Sequence, residues 1–326
     1  MEELSIEKLA ATQQFDDTPF LGPDRQIDAR MVFTHTLFFT DGATQGGQKR
    51  AVETLGLLAR NVEDRIAVMA LNDGGLQPWD AGQFRDGAFE TIDRAFAQHS
   101  GQRDLDLAFH GEKAGQVSAF GGSLAIVPPL VEEDADLSYL EASTTLTWDV
   151  ENAFRLQIDR MIAAASLLKP VHGLGGFGLL FGRAGASTSS KARLVPVMHR
   201  FAGLHCGLNT AFVVEAAMRR PTPDRYFTVN WLTAIGDAML AQLPAGALAT
   251  LPASCPVHNY EGGVIIQAGP HPQIGDTNRG FVPEDYRAVE AVLAPVRFEE
   301  YGVGILSVPS PRDSLSETLR WVRRFD

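Results

Sequence analysis

The run Met31-Val-Phe-Thr-His-Thr-Leu-Phe-Phe39 constrains the fold of this chain more than any other segment. Phe33, His35, Leu37 and Phe39 share one face at period two, and Val32 and Phe38 fall on the other. Successive side chains of a strand point to opposite sides of the pleat, so a strand apolar on both sides is a buried one. The chain must therefore build a sheet with a core around this strand.

Further elements follow from spacing. Val52, Leu55 and Ala59 predict a helix over Ala51 to Leu58, and Ile66 to Leu71 reads as a strand closed by Asn72-Asp-Gly-Gly75. Phe84, Ala88, Ile92 and Phe96 recur at helical spacing. Leu105 to Phe109 and Val117 to Val127 are strands, the second stopped by Pro128-Pro129. After Trp148, the stripe Val150, Phe154, Ile158, Met161, Ala165 and Leu168 predicts a helix with Asp149 as N-cap and Pro170 as stop. Strands are expected around Gly176 to Phe181, Asn209 to Glu215, Tyr226 to Val229 and Gly263 to Gln267. One late helix begins at Pro283 with Tyr286, Val289, Val292 and Leu293 inward. Another has Ser310 as cap, Pro311 in its first turn, and Leu315, Leu319 and Val322 inward.

Strands and helices are interspersed without steady alternation. That order predicts an α+β fold, with mixed or antiparallel sheets and packed helices, rather than a Rossmann fold. No stretch approaches the roughly 18 apolar residues of a membrane-spanning helix. Residues 1–30 read as an N-terminal arm and 31–326 as a single globular domain, with 128–138 as a candidate subdomain boundary.

Charge narrows the function. The 326 residues carry 40 Asp and Glu against 28 Lys and Arg, a net charge of −12. A broad grip on a phosphate backbone needs the opposite balance, so direct nucleic-acid binding is not expected. Two cysteines give no disulfide framework, and the N-terminus has neither the basic nor the apolar part of a signal peptide. The chain reads as soluble and cytoplasmic.

Several motifs imitate chemistry. Gly173-Leu-Gly-Gly-Phe-Gly178 matches a dinucleotide fingerprint, but it follows a helix and opens none, so it reads as a strand where another backbone approaches closely. His199, His205, Cys206, Cys255 and His258 include zinc-ligand types, yet only the loose pair Cys255-x-x-His258 has suggestive spacing. Ser123 lacks the second glycine of a nucleophile elbow, and Thr188-Ser-Ser-Lys191 reads as a polar loop. His35 and His110 are bases only if the fold gives them partners. No catalytic residue, metal site or cofactor is implied.

The placement of charge says more than its sum. From Ala114 through Phe154 there is no Lys or Arg, while Glu132, Glu133, Asp134, Asp136, Glu141, Asp149 and Glu151 supply seven negative charges. Asp149 and Glu151 suit the start of a helix dipole. The run Glu132 to Asp136 lacks the alternating order of a calcium loop and calls for a basic partner. Glu132, Glu133, Asp134, Asp136 and Glu141 are the expected partner-binding surface.

A final signal lies in the C-terminal half. The blocks Val229-Asn-Trp-Leu-Thr233, Glu261-Gly-Gly-Val-Ile-Ile-Gln-Ala-Gly269, Pro270-His-Pro-Gln-Ile-Gly-Asp-Thr-Asn-Arg279 and Tyr286-Arg-Ala-Val resemble the type VI immunity protein family. Its members sit beside nuclease toxins, including those of the VRR-Nuc kind. The resemblance implies a non-enzymatic inhibitor that binds a cognate toxin and covers its basic cleft. Among the motif residues, Trp231 reads as a core anchor at a helix start. Asn230 and Asp276 read as turn formers, Gly269 and Gly275 as tight bends, and Asn278 as a structural residue of the motif. Two other readings compete: an enzyme whose active site is assembled in space without a local motif, and an adaptor that binds a small molecule.

Overall fold

The computed structural model describes residues 19–21, 27–59, 66–71, 77–78, 105–111, 120–126, 137–144, 153–181, 188–205 and 224–326. The two-faced run lies inside β2 (Ile27–Phe39), thirteen residues long and central to the sheet. One edge of β2 carries β8 (His172–Phe181), with Phe33 opposite Phe177. The other carries β7 (Ser138–Thr144), with Thr36 opposite Glu141, and beyond it β1 (Pro19–Leu21). Part of the stretch read as an arm is therefore sheet.

Outward from β7 come β6 (Gly121–Ile126), β5 (Leu105–His110), β3 (Val68–Leu71) and β4 (Gln77–Pro78). Outward from β8 come β9 (Leu232–Gly236), β11 (Gly263–Gln267) and β10 (Val257–Tyr260). Among the described residues the result is one eleven-stranded sheet in which every strand–strand pairing is antiparallel. Since β6 pairs with β7, the sheet is continuous across the candidate boundary at 128–138.

Both faces of this sheet are packed. Helix α1 (Gln45–Ala59) starts at Thr44, whose Oγ1 accepts the Gly47 N–H at 2.9 Å, and lies over β6 and β7. Beside it lies α2 (Ala153–Leu168), which ends where Lys169 takes a left-handed φ of 56° and Pro170 follows. Phe33, Leu37, Leu55, Leu140, Met161 and Trp231 belong to one core. Phe38, Tyr139, Leu194, Phe227, Trp321 and Val322 belong to a second, to which α3 (Thr188–Arg200) and the last helix contribute. Two short elements complete the C-terminal half: α4 (Asp237–Leu240) follows β9, and α5 (Glu284–Leu293) follows a bend at Pro283.

Four local expectations need correction. The Thr188 segment is the first turn of α3, not a loop. Tyr226 to Val229 is no strand: the ladder starts at Leu232. Asn230 Oδ1 accepts the Trp231 N–H at 2.7 Å and Thr233 Oγ1 accepts the Asn230 N–H at 3.1 Å, which closes a turn ahead of it. Trp231 thus precedes a strand rather than a helix. The final helix α6 (Ser314–Val322) is capped by Asp313, whose Oδ2 accepts the Ser316 N–H at 2.7 Å, so Ser310 and Pro311 lie upstream of it. The helix expected over Phe84 to Phe96 and the strand expected over Asn209 to Glu215 lie outside the described residues.

Candidate functional site

The expected partner surface divides in two. Glu132, Glu133, Asp134 and Asp136 lie outside the described residues. Glu141 does not belong to a surface: it sits in mid-β7 with 0% of its area exposed, between β2 and β6. Its Oε2 accepts the Thr36 hydroxyl at 3.2 Å and its Oε1 has no partner. Burial pushes its carboxyl up to about 8, against the pull of the Thr36 hydrogen bond. Ser123 stands opposite Glu141 in the register, and its Oγ is also buried without a partner.

The glycine run forms most of β8 and explains itself by contact. A Cβ on Gly176 would stand 2.2 Å from Asn230 Oδ1, one on Gly173 2.5 Å from Leu37 Cδ2, and one on Gly178 2.8 Å from Thr34 Cγ2. The glycines let neighbouring strands and the Asn230 turn approach, and no helix N-terminus follows them within β8.

The candidate bases and metal ligands are dispersed. His35 is buried, has an imidazole pushed down to about 3 by that burial, and has Nε2 3.3 Å from the Gln157 carbonyl. His172 stacks on Phe38 with centroids 5.8 Å apart and is pushed down to about 4 by burial; His205, equally buried, falls to about 3. His199 sits 2.7 Å from Glu317, and His258 Nε2 lies 3.0 Å from Gln267 Oε1. Cys255 is buried beside Asp285, with its thiol pushed up to about 11 by burial and by that carboxylate. Cys206 and the side chain of His110 lie outside the described residues. Among the described residues no three His, Cys, Asp or Glu side chains converge as a metal site would require.

The motif residues of the C-terminal blocks meet one another. Trp231 donates through Nε1 to the Gly269 carbonyl at 2.9 Å and stands edge-on to Phe33 and Phe154. Gly269 and Gly275 take left-handed φ values of 87° and 69°. Asp276 caps the turn Thr277–Arg279 by accepting the Asn278 N–H at 3.2 Å, and receives Arg200 through two bonds of 3.0 and 2.8 Å.

A charged constellation absent from the sequence reading lies at the C-terminal end. Glu290 projects from α5 with 1% exposure. Its Oε1 accepts the Tyr226 hydroxyl and Arg297 Nη1, the latter at 2.6 Å. Arg297 also donates to Glu299 at 2.8 Å and to both oxygens of Asp326, and Arg323 pairs with Glu299. Burial raises the Glu290 carboxyl, while Tyr226 and Arg297 pull it back. A cleft of about 350 Å³ opens here, lined by Glu284, Arg287, Ala288, Glu290, Ala291, Phe325 and Asp326. One sequence signal could have found it: Glu290 falls on the buried stripe of α5 with Tyr286, Val289 and Leu293.

The fold defines the chain as an α+β protein built on one wide antiparallel sheet. The chain belongs to the TsiV family, described as type VI immunity for VRR-NUC, whose model matches residues 81–325. Among solved structures it resembles the Pseudomonas aeruginosa T6SS protein PA0821 at a TM-score of 0.79 and 20% identity, covering 99% of this chain and 91% of that one, which bears on the fold alone. No curated protein matches it in sequence.

Proposed function

We propose that this protein binds its cognate type VI secretion toxin, a nuclease, and neutralises it by covering the toxin's basic active cleft. The observation that carries the reading is family membership over residues 81–325. The charge agrees with it: a nuclease cleft must be positive to hold nucleic acid, and a chain of net charge −12 competes for that cleft without touching the nucleic acid itself. Glu132, Glu133, Asp134 and Asp136 supply the interface charge. The protein acts in the cytoplasm, where such a toxin would meet the cell's own nucleic acid, and it needs no catalysis or cofactor. The scattered packing of His35, His172 and His205, each buried and held neutral, fits a blocker better than an enzyme.

The test mixes the purified protein with the nuclease domain of the candidate cognate toxin. A tight one-to-one complex that abolishes nuclease activity is expected. Changing Glu132, Glu133, Asp134 and Asp136 together to Lys should slow association most at low salt. Unchanged association would remove the acidic run from the interface, and failure of the unaltered protein to bind or inhibit would remove the reading itself.

A further inference from the structure

The chain is acidic as a whole and basic in one place. Helix α3, the turn Asp276 to Arg279 and the segment Arg312 to Arg324 around α6 together hold eight Lys and Arg against three acids, Asp276, Asp313 and Glu317. These elements touch. Thr277 Oγ1 donates to the His199 carbonyl at 3.1 Å, His199 stands 2.7 Å from Glu317, and the next residue, Arg200, takes Asp276. Each of the two acids is sunk beneath two arginines. Arg200 holds both oxygens of Asp276 at 3.0 and 2.8 Å, while Arg279 comes no closer to that carboxylate than 3.6 Å. Arg312 holds Glu317 at 3.0 and 2.8 Å, while Arg320 comes no closer than 3.9 Å. The side chains of Asp276 and Glu317 are 15% and 14% exposed, whereas those of Arg279 and Arg320 are 82% and 69% exposed.

The first arginine of each set satisfies its acid, so the second adds no bond that the fold needs. An exposed pair at such a distance contributes little to stability, and it leaves a positive charge with several N–H donors turned to solvent. Other charges nearby are already engaged: Asp313 caps α6, Arg323 pairs with Glu299, and Arg324 donates to the carbonyls of Ala202, Val229 and Trp321. Lys191 and Arg193 extend the basic excess along α3, which carries no acid. We propose that Arg279 and Arg320, with Arg200 and Arg312 beside them, form a docking surface for an acidic face of the toxin. Carboxylates fit because the planar guanidinium fork matches them, and a broad face fits because the four arginines are spread over two centres instead of converging on one small anion. A nucleic-acid backbone would meet the same forks but also the field of a chain at −12. The proposal rests on the toxin-binding reading above and gives it a second contact, opposite in sign to the run Glu132 to Asp136.

The sign of one effect tests it. Arg279→Glu combined with Arg320→Glu makes the protein more negative, so a toxin drawn in by its basic charge alone would bind this double variant faster. The docking surface demands the opposite: association with the nuclease domain at least about fivefold slower at low salt, the gap closing in high salt. Arg155→Glu is the charge control, on α2 at the other face of the sheet and 85% exposed, and it should not slow association. A double variant that binds as fast as the unaltered protein or faster, or an equal slowing by Arg155→Glu, would overturn the proposal and leave the immunity reading intact. Failure of the unaltered protein to bind at all would overturn that reading and the proposal with it. A second experiment needs no toxin. Deca-glutamate is titrated against the full chain at low salt while the backbone amide resonances of Asn278, Arg279 and Arg320 are followed. Saturable shifts are expected, lost in the double variant and weaker with decathymidylate. No shift, or an equal response to decathymidylate, would overturn the acidic face as the occupant even if the toxin binds. Thermal melting of each variant confirms that it is folded.

Discussion

Two glutamates are equally buried in this molecule and behave differently. Glu141 lies in the middle of β7 with one hydroxyl donor and no cation bonded to it, and its carboxyl is pushed up to about 8. Glu290 lies on α5 at 1% exposure, yet a tyrosine and an arginine share its Oε1. Desolvation raises both, and the guanidinium opposes it only at Glu290. The sheet has thus buried an acid by keeping it neutral, whereas the C-terminal layer has buried one by pairing it. The first arrangement is sensitive to pH and the second to the loss of a partner.

The largest effect should come from converting the second arrangement into the first. Arg297→Met strips the shared cation from Glu290, Glu299 and Asp326, and should cost about 3–5 kcal/mol at neutral pH. The loss should be smaller at pH 5, where the orphaned carboxylates take up protons. Equal denaturant midpoints for variant and parent at neutral pH would refute the pairing account. Next comes Glu141→Gln. The unfolded carboxyl titrates near 4.5 and the folded one near 8, so the native state holds a proton that the unfolded chain has released between these values. Stability is then full below 4.5 and falls as pH rises through that window. The amide removes this slope, leaving the variant roughly 4 kcal/mol more stable than the parent at pH 8 and nearly equal at pH 4.5. A parent curve that is already flat over this range would show that Glu141 is ionised. The smallest effect belongs to an exposed pair. Lys169 and Glu261 meet at 2.6 Å with 45% and 80% of their side chains exposed, so Lys169→Ala should cost no more than about 0.5 kcal/mol, less still in high salt.

The same contrast marks how far the sequence could be read. β2, β11 and the helices α1, α2 and α5 declare themselves through apolar periodicity, because large side chains recur where the core is. β7 does not. Its sequence, Ser-Tyr-Leu-Glu-Ala-Ser-Thr, buries Ser138, Glu141, Ser143 and Thr144 in a packed sheet, and beside an acidic run its Glu141 reads as part of a surface. A polar residue in a sheet interior is set by its cross-strand neighbours, here Ser123 on the preceding strand and Thr36, which lies 105 residues away along the chain. The Glu290 constellation was hidden for a related reason. Tyr226, Glu290, Arg297 and Asp326 meet through the path of the chain; helical spacing marks Glu290 as a buried acid but says nothing of its partners. The glycine run was legible because its surroundings contradicted the dinucleotide motif, while the Asn230 turn packed against Gly176 emerged only from contact.

The position of β2 also carries a consequence in time. It is made early, but its neighbours on the two edges are β7 and β8, and residues paired across them are about a hundred or more apart, as Thr36 and Glu141 are at a separation of 105. During synthesis one edge of β2 therefore waits for β7 until residue 144 has been made, and the other for β8 until residue 181. A ribosome-bound chain of fewer than 138 residues has the centre of its architecture and neither β7 nor β8 to close it, so the lag between translation and a working protein is written into the strand order.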